Sequence, residues 1–219
     1  MENLEEVIKK FIAEKVNSKL DFDPREVAKI KPFFEDELTI LDNLKEVRTE
    51  ICYCIFFGLH QAAITLTNHL LEDTLKTGLL YSEYGVKLLD DLNEMDTFYK
   101  EGLDKYSSLD LSGTINRSCS KGLITKPEKK ILHEFRERLR NGFSHSDSRK
   151  IFKDIKVPFY MGSFGNINKE PLNFKECSIS DIPQFQGLAK SELAKNHSFD
   201  YFNCVYGILK RIENKLNRY

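Results

Sequence analysis

The chain has no tryptophan, and its 219 residues include only six prolines, eleven glycines and five cysteines. So little proline and glycine excludes a collagen-like repeat, and the 41% apolar content excludes a disordered chain. The cysteines are odd in number and scattered at Cys52, Cys54, Cys119, Cys177 and Cys204. No Cys-x-x-Cys occurs and no histidine lies near a cysteine pair at ligand spacing, so neither a disulfide framework nor a zinc site is expected. They read as reduced, mostly buried small hydrophobes. No apolar run reaches the roughly 18–20 residues of a membrane helix; the longest lies around Ile51–Leu59 and contains cysteine and glycine. The opening Met-Glu-Asn-Leu-Glu-Glu is acidic and amphipathic, unlike a signal or transit peptide, and points to a cytoplasmic protein without membrane contact. Gly-x-Ser-x-Gly and Gly-x-x-x-x-Gly-Lys are both missing. The carboxylate runs Glu35-Asp36-Glu37 and Asp90-Asp91 are sequence neighbours, which point about 100° apart on a helix and build no shared acid–base site. Neither a metal nor a cofactor is expected.

What is present is a folding chain of one-domain length, which buries roughly 70–75% of its extended surface without a staple. Its net charge of −1 hides an asymmetry. Residues 1–100 carry 12 Lys and Arg against 20 Asp and Glu, whereas residues 101–219 carry 21 against 14. Residues 117–156 alone hold 12 basic and 5 acidic side chains. A local basic cluster is the electrostatic footprint of a phosphate-bearing partner. The plain alternative is a solvated helix face offset by the acidic half packed nearby.

Apolar periodicity predicts an all-α bundle. Leu4, Val7, Ile8, Phe11, Ile12 and Val16 place a helix over 3–19, and Asp23-Pro24 starts another that Pro32 should end. A helix is predicted from Leu38 to about Phe57. The next runs from Leu59 to Leu80, apolar on most of its circumference and therefore central, with Gly78 as a stop. Val86–Tyr99 and Asp110–Gly122 follow. Thr125-Lys126-Pro127-Glu128 starts a helix with a cap, an early proline and an acidic first turn, and Asn141-Gly142 stops it. Residues 151–187 suggest two extended runs around a loop, and Leu188–Tyr219 returns to helix. The division is an N-terminal extension (1–35), a core (36–150), a non-helical excursion (151–187) and a C-terminal helix (188–219), all in one domain.

Of five histidines, His60 and His69 read as structural residues of the central helix, His133 as a surface residue and His197 as a polar residue before the last helix. The fifth is different. In Arg136-Glu-Arg138-Leu-Arg140-Asn141-Gly142-Phe143-Ser144-His145, an arginine and a histidine flank a helix breaker. On an unbroken helix Arg140 and His145 would point about 140° apart. A turn at Gly142 lets them converge, with a new helix capped in the Ser144–Ser146 region. Histidine titrates near neutrality and moves protons; arginine holds a permanent charge and forks onto phosphate oxygens. The pair suits attack of an RNA 2′-hydroxyl on its neighbouring phosphate, leaving a 2′,3′-cyclic phosphate and sparing DNA. The competing reading is a helix C-terminus decorated with arginine, where cations suit the macrodipole, followed by a loop histidine.

Arg140-Asn141-Gly142-Phe143-Ser144-His145 resembles the Arg-x4–6-His signature of the HEPN superfamily, including the polar residue directly after the arginine. The Ile131–Leu139 pattern resembles the helix that carries the motif, and Ala62–Lys76 resembles the family's long packed helix. The likeness covers roughly residues 40–150 and the last helix. It implies an HEPN-like antiparallel helical bundle with extra N-terminal helices and a small β-hairpin or irregular excursion near 151–187. It further implies a metal-independent endoribonuclease of toxin–antitoxin or abortive-infection type, working as a homodimer with an antitoxin or regulatory protein as a possible partner. The catalytic set implied is Arg140, His145 and Asn141. Glu72 and Lys76, at the spacing of an acidic–basic pair seen in many members, would support it with Ser144; Arg136, Arg138, Arg149 and Lys150 would bind RNA. The plain reading of Glu72 and Lys76 is a one-turn ion pair. Members regulated by AMPylation often carry tyrosine two residues after the histidine; here that residue is Asp147, so the likeness does not extend to that regulation.

Two other functions stay open on the sequence. One is a non-catalytic module of the same type that holds RNA, a nucleotide or a protein. The other is a helical interaction protein with no nucleic-acid role. The aromatic residues Phe159, Tyr160 and Phe164 of the excursion could stack on bases, or simply pack.

Overall fold

A computed structural model of the chain describes residues 24–86, 92–140, 143, 156–160, 174–178 and 183–217, together with the isolated positions 6, 10 and 13. Most of the helix expected over 3–19 therefore lies outside the described residues, as do the Asn141-Gly142 stop and the Ser144–Ser146 helix start. The described part is all-α, with seven α-helices and one antiparallel pair of short strands.

The first helix, α1 (Pro24–Glu35), begins at the expected proline but is not ended by Pro32. Proline removes one N–H and so one helical bond; the turn still closes, because Asp36 N–H donates to the Pro32 carbonyl at 3.1 Å. The tertiary gain lies next door. Phe33 packs against Phe202 and Tyr206, with centroids 4.9 and 5.2 Å away. Residues 38–41 are not helical, contrary to expectation. A 3₁₀ turn at Asp42–Leu44 leads into α2 (Lys45–Phe56). The reason is a long-range contact that satisfies these N–H groups outside a helix: the Glu213 carboxylate accepts from the backbone N–H of Thr39 at 2.5 Å and of Ile40 at 3.2 Å, and from the Thr39 hydroxyl at 3.0 Å.

The α2 helix closes in a Schellman motif. Gly58, at φ +73°, lets its own N–H reach the Ile55 carbonyl and the Leu59 N–H reach Cys54. That tight reversal starts α3 (His60–Tyr84), 25 residues and about 37 Å long. It is the central helix that its apolar circumference predicted, burying Ile64, Leu70, Leu71, Leu75 and Leu79. Gly78 does not stop it. A Cβ there would lie 3.0 Å from Ile212, so glycine serves close helix approach, and the helix runs on to Gly85 at φ +80°.

Next come α4 (Leu92–Ser107), α5 (Leu111–Ser120) and α6 (Lys126–Phe135). Asp110 caps α5 through Gly113 N–H at 2.7 Å. Thr125 and Glu128 form the reciprocal capping box at the start of α6. The chain continues as a π-helical turn over Arg136–Arg140. Strands β1 (Lys156–Tyr160) and β2 (Phe174–Ser178) pair with each other. The last helix, α7 (Pro183–Leu216), starts five residues before Leu188, so the expected boundary at 187/188 falls inside it. His197 accordingly sits within α7 and caps nothing.

The contacts fix the directions. His60 meets Ser198, Asn68 meets Tyr201 and Gly78 meets Ile212, so α3 and α7 run parallel. Glu128 pairs with Arg211, and Phe135 stacks on Tyr201 at 4.7 Å, so α6 runs against α7. A purely antiparallel bundle is thus corrected to one with a parallel central pair.

A polar cluster pins α1, α2 and α7 together. Arg48, buried in the core, donates to the Asp36 carbonyl. The Asp36 carboxylate accepts from the Tyr206 hydroxyl at 2.6 Å and from Lys210 at 3.0 Å. Burial pushes the Asp36 carboxyl up, but those hydrogen bonds and the charges of Lys210 and Arg48 outweigh it and hold it below its usual range. The four cysteines with described side chains are free, and burial lifts the Cys52 thiol to about 11, so it stays protonated.

Two glycines test the packing in opposite senses. At Gly102 of α4 a Cβ would lie 2.4 Å from Leu80 and 2.7 Å from Tyr84, whereas at Gly207 of α7 nothing lies within 4 Å. Gly102→Ala should cost about 1–3 kcal/mol by overpacking. Gly207→Ala should add roughly 0.5–1 kcal/mol by restricting the unfolded chain. Urea unfolding of the two variants reads both signs.

Candidate functional site

The basic stretch enters the bundle at the π-helical turn. A π turn bonds i to i+5, and such turns occur often at functional sites. Here Leu139 is buried while Arg136 and Arg140 stay half-buried beside α3. Arg140 Nη2 lies 3.9 Å from Glu72 Oε2. Lys76 Nζ lies 2.8 Å from Glu72 Oε1. One carboxylate of α3 thus lies between two cations, one oxygen toward each, with the Asp73 carboxyl close enough to feel both Glu72 and Lys76. Lys76 also donates to the Ser107 carbonyl at the end of α4, at 3.3 Å. The structure therefore brings Arg140, Glu72 and Lys76 together. A lone one-turn pair would account for Glu72 and Lys76 but not for Arg140, which is 68 positions away from Glu72 in sequence.

Beneath the ion pairs is a buried polar contact. Asn68, one turn before Glu72 on α3, accepts from the Tyr201 hydroxyl through Oδ1 at 2.8 Å. Its Nδ2 is buried with no hydrogen-bond partner among the described residues. Tyr201 is fully enclosed and packs on Phe135, and burial pushes its phenol far above the ordinary range; the nearby Arg140 charge opposes that push. The phenol is a fixed donor here, not an acid.

Arg136, one turn before Arg140, lies 3.8 Å from Glu137, and its Nε is buried without a hydrogen-bond partner among the described residues. Arg138 is exposed and makes no ion pair among the described residues. His133 sits half-buried on α6 with Nε2 3.2 Å from Asn116 Oδ1 of α5. Burial, then the charges of Arg136 and Lys129, holds this imidazole below its ordinary value, so it is neutral at pH 7. Asn141, Ser144, His145, Arg149 and Lys150 lie outside the described residues. So do the Phe159 and Tyr160 side chains and all of Phe164.

Sequence reading passed over Asn68, Tyr201 and the His133–Asn116 pair. Asn68 carried a signal: it is a polar residue in an apolar helix, four positions before Glu72. Tyr201 carried none, since its role depends on contact with an element 133 positions away. Among the described residues no helix is long and apolar enough to cross a membrane.

In comparisons with known proteins, the chain matches no family model, no curated protein and no solved structure.

Two measurements test this geometry. Tyr201→Phe strands the buried Asn68 amide and should cost about 1–3 kcal/mol in urea unfolding. Arg136→Ala removes a repelling cation from His133. The NMR titration midpoint of that imidazole should rise toward its ordinary value, and an unmoved midpoint would mean that burial alone sets it.

Proposed function

We propose that this chain is a metal-independent endoribonuclease of HEPN type, acting as a toxin or antiviral effector. The observation that carries the proposal is the meeting of Arg140 with Glu72 and Lys76, because it gives the motif arginine a fixed position at the end of a basic helix. Arg140 is two-thirds enclosed, and one edge of its guanidinium faces Glu72. Among the described residues Glu72 is its one ion-pair partner, and the exposed third of the side chain can receive a phosphate. A guanidinium held this way is pre-organised, so it contributes to a crowded phosphorane without reorganising. Lys76 adds a second cation beside it.

In this reading, His145 moves the proton. It takes the 2′-hydroxyl proton or delivers one to the leaving 5′-oxygen. The 2′-oxygen bonds to phosphorus as the P–O5′ bond breaks, giving a 2′,3′-cyclic phosphate and a 5′-hydroxyl. Asn141 and Ser144 orient the phosphate or the imidazole; Arg136, Arg138, Arg149 and Lys150 hold the flanking strand. Glu72 is a positioning residue, setting the arginine rather than touching substrate. The protein works as a homodimer whose two motifs share one cleft.

The test is cleavage of a labelled single-stranded RNA in EDTA. Wild type should cut and leave a cyclic phosphate end. His145→Ala and Arg140→Ala should each lose on the order of 100-fold or more in rate while keeping the wild-type circular dichroism spectrum. Glu72→Gln should lose on the order of 10–100-fold, in kcat rather than KM. Cleavage that EDTA abolishes, or that survives both alanine variants, would end this reading. RNA that is held but not cut would make the chain a binding module.

A further inference from the structure

We infer that the groove between α4 and α5 is a nucleotide subsite for single-stranded RNA, with Arg117 on a phosphate and Asn116 on a base edge. The inference rests on the ribonuclease reading and says where the strand goes next. The groove is an open depression of about 540 Å³, lined by Lys105, Tyr106, Leu109, Gly113, Asn116 and Arg117. That volume lies within the range of small-ligand clefts and suits a nucleotide rather than a whole protein element.

Its position argues for RNA. Lys76, bound to Glu72 beside Arg140, also holds the Ser107 carbonyl, two residues from both Lys105 and Leu109 of the groove. Asn116 on the opposite wall contacts His133, which sits one turn before Arg136 on the helix leading to Arg140. Two independent chains of contact thus join the groove to the arginine, so a strand held at Arg140 can run on into the groove.

Its chemistry argues the same way. Lys105 is engaged by Glu83, which also takes Lys121 at 3.5 Å and the Tyr106 hydroxyl at 2.5 Å. Arg117 is exposed and makes no ion pair among the described residues, so its charge is uncompensated in the groove wall. The Asn116 oxygen faces His133, which leaves its amide hydrogens to donate to a base. Leu109 supplies apolar surface beside Gly113.

The experiment measures binding and cutting separately. Binding uses His145→Ala protein in EDTA and a fluorescent single-stranded RNA 12-mer, read by anisotropy across a salt series. Added to that background, Arg117→Ala should weaken binding on the order of fivefold and flatten the log–log salt slope by about 0.7. Asn116→Ala should weaken it without changing the slope. Lys195→Ala, on α7 in a separate pocket beside His60, is the control. In otherwise wild-type protein, Arg117→Ala should raise KM on the 12-mer at unchanged kcat and leave cleavage of a dinucleotide unaltered. If both groove variants bind and cut like their parents, the subsite is overturned while the nuclease reading stands. If binding depends on Arg117 but wild-type protein cuts nothing, the subsite stands and the nuclease reading falls. If the parent binds no RNA at low salt, both fall.

Discussion

The parallel seam between α3 and α7 is the constraint on which the rest of this structure depends. Gly78 lets the helices close onto Ile212, and Asn68 with Tyr201 fixes their register through a buried hydrogen bond. A close-packed seam does not slide by small increments, because interior side chains interdigitate at crystal-like density. Everything at the motif is referred to it. Glu72 lies one turn beyond Asn68, and Phe135, at the end of α6, rests on the Tyr201 ring. The position of Arg140 follows from those two contacts before its own ion pair is formed.

The ion pairs at Glu72 are therefore better understood as orientation than as stability. All three side chains are roughly a quarter to a third exposed, and pairs of that kind contribute about 0–1 kcal/mol each. What they determine is direction. The carboxylate presents one oxygen to each cation, so neither cation is neutralised outright. A fully paired arginine would have nothing left for an anion, and an unpaired one would sample many rotamers. Sharing one carboxylate between two cations avoids both.

What was legible in the sequence was local. The Thr125–Glu128 capping box, the early proline of α6 and the all-round apolar character of α3 are each set within a few residues, and the chain follows them. The spacing of Glu72 and Lys76 shows in sequence as a one-turn pair, but their meeting with Arg140 does not, since a whole bundle intervenes. The misreadings share one cause. Pro32 reads as a helix end because its lost bond is local, while the compensating packing of Phe33 on α7 is not. Gly78 reads as a stop because the neighbour that requires it, Ile212, is 134 positions away. Leu38 reads as helix because the contact that holds Thr39 and Ile40 out of a helix comes from Glu213.

That contact also has a consequence in time. Thr39 and Ile40 wait for a carboxylate 173 or 174 positions further along, and Tyr201 arrives nearly as late. During synthesis the chain emerges N-terminus first, at about 5–20 residues per second, and contacts this distant in sequence form only after the intervening length has been made. The nascent chain therefore carries α3 with its apolar flank uncovered for many seconds. Tyr201, on which Phe135 rests, is among the last of these contacts to arrive, so the seam that positions Arg140 closes only once α7 has been made.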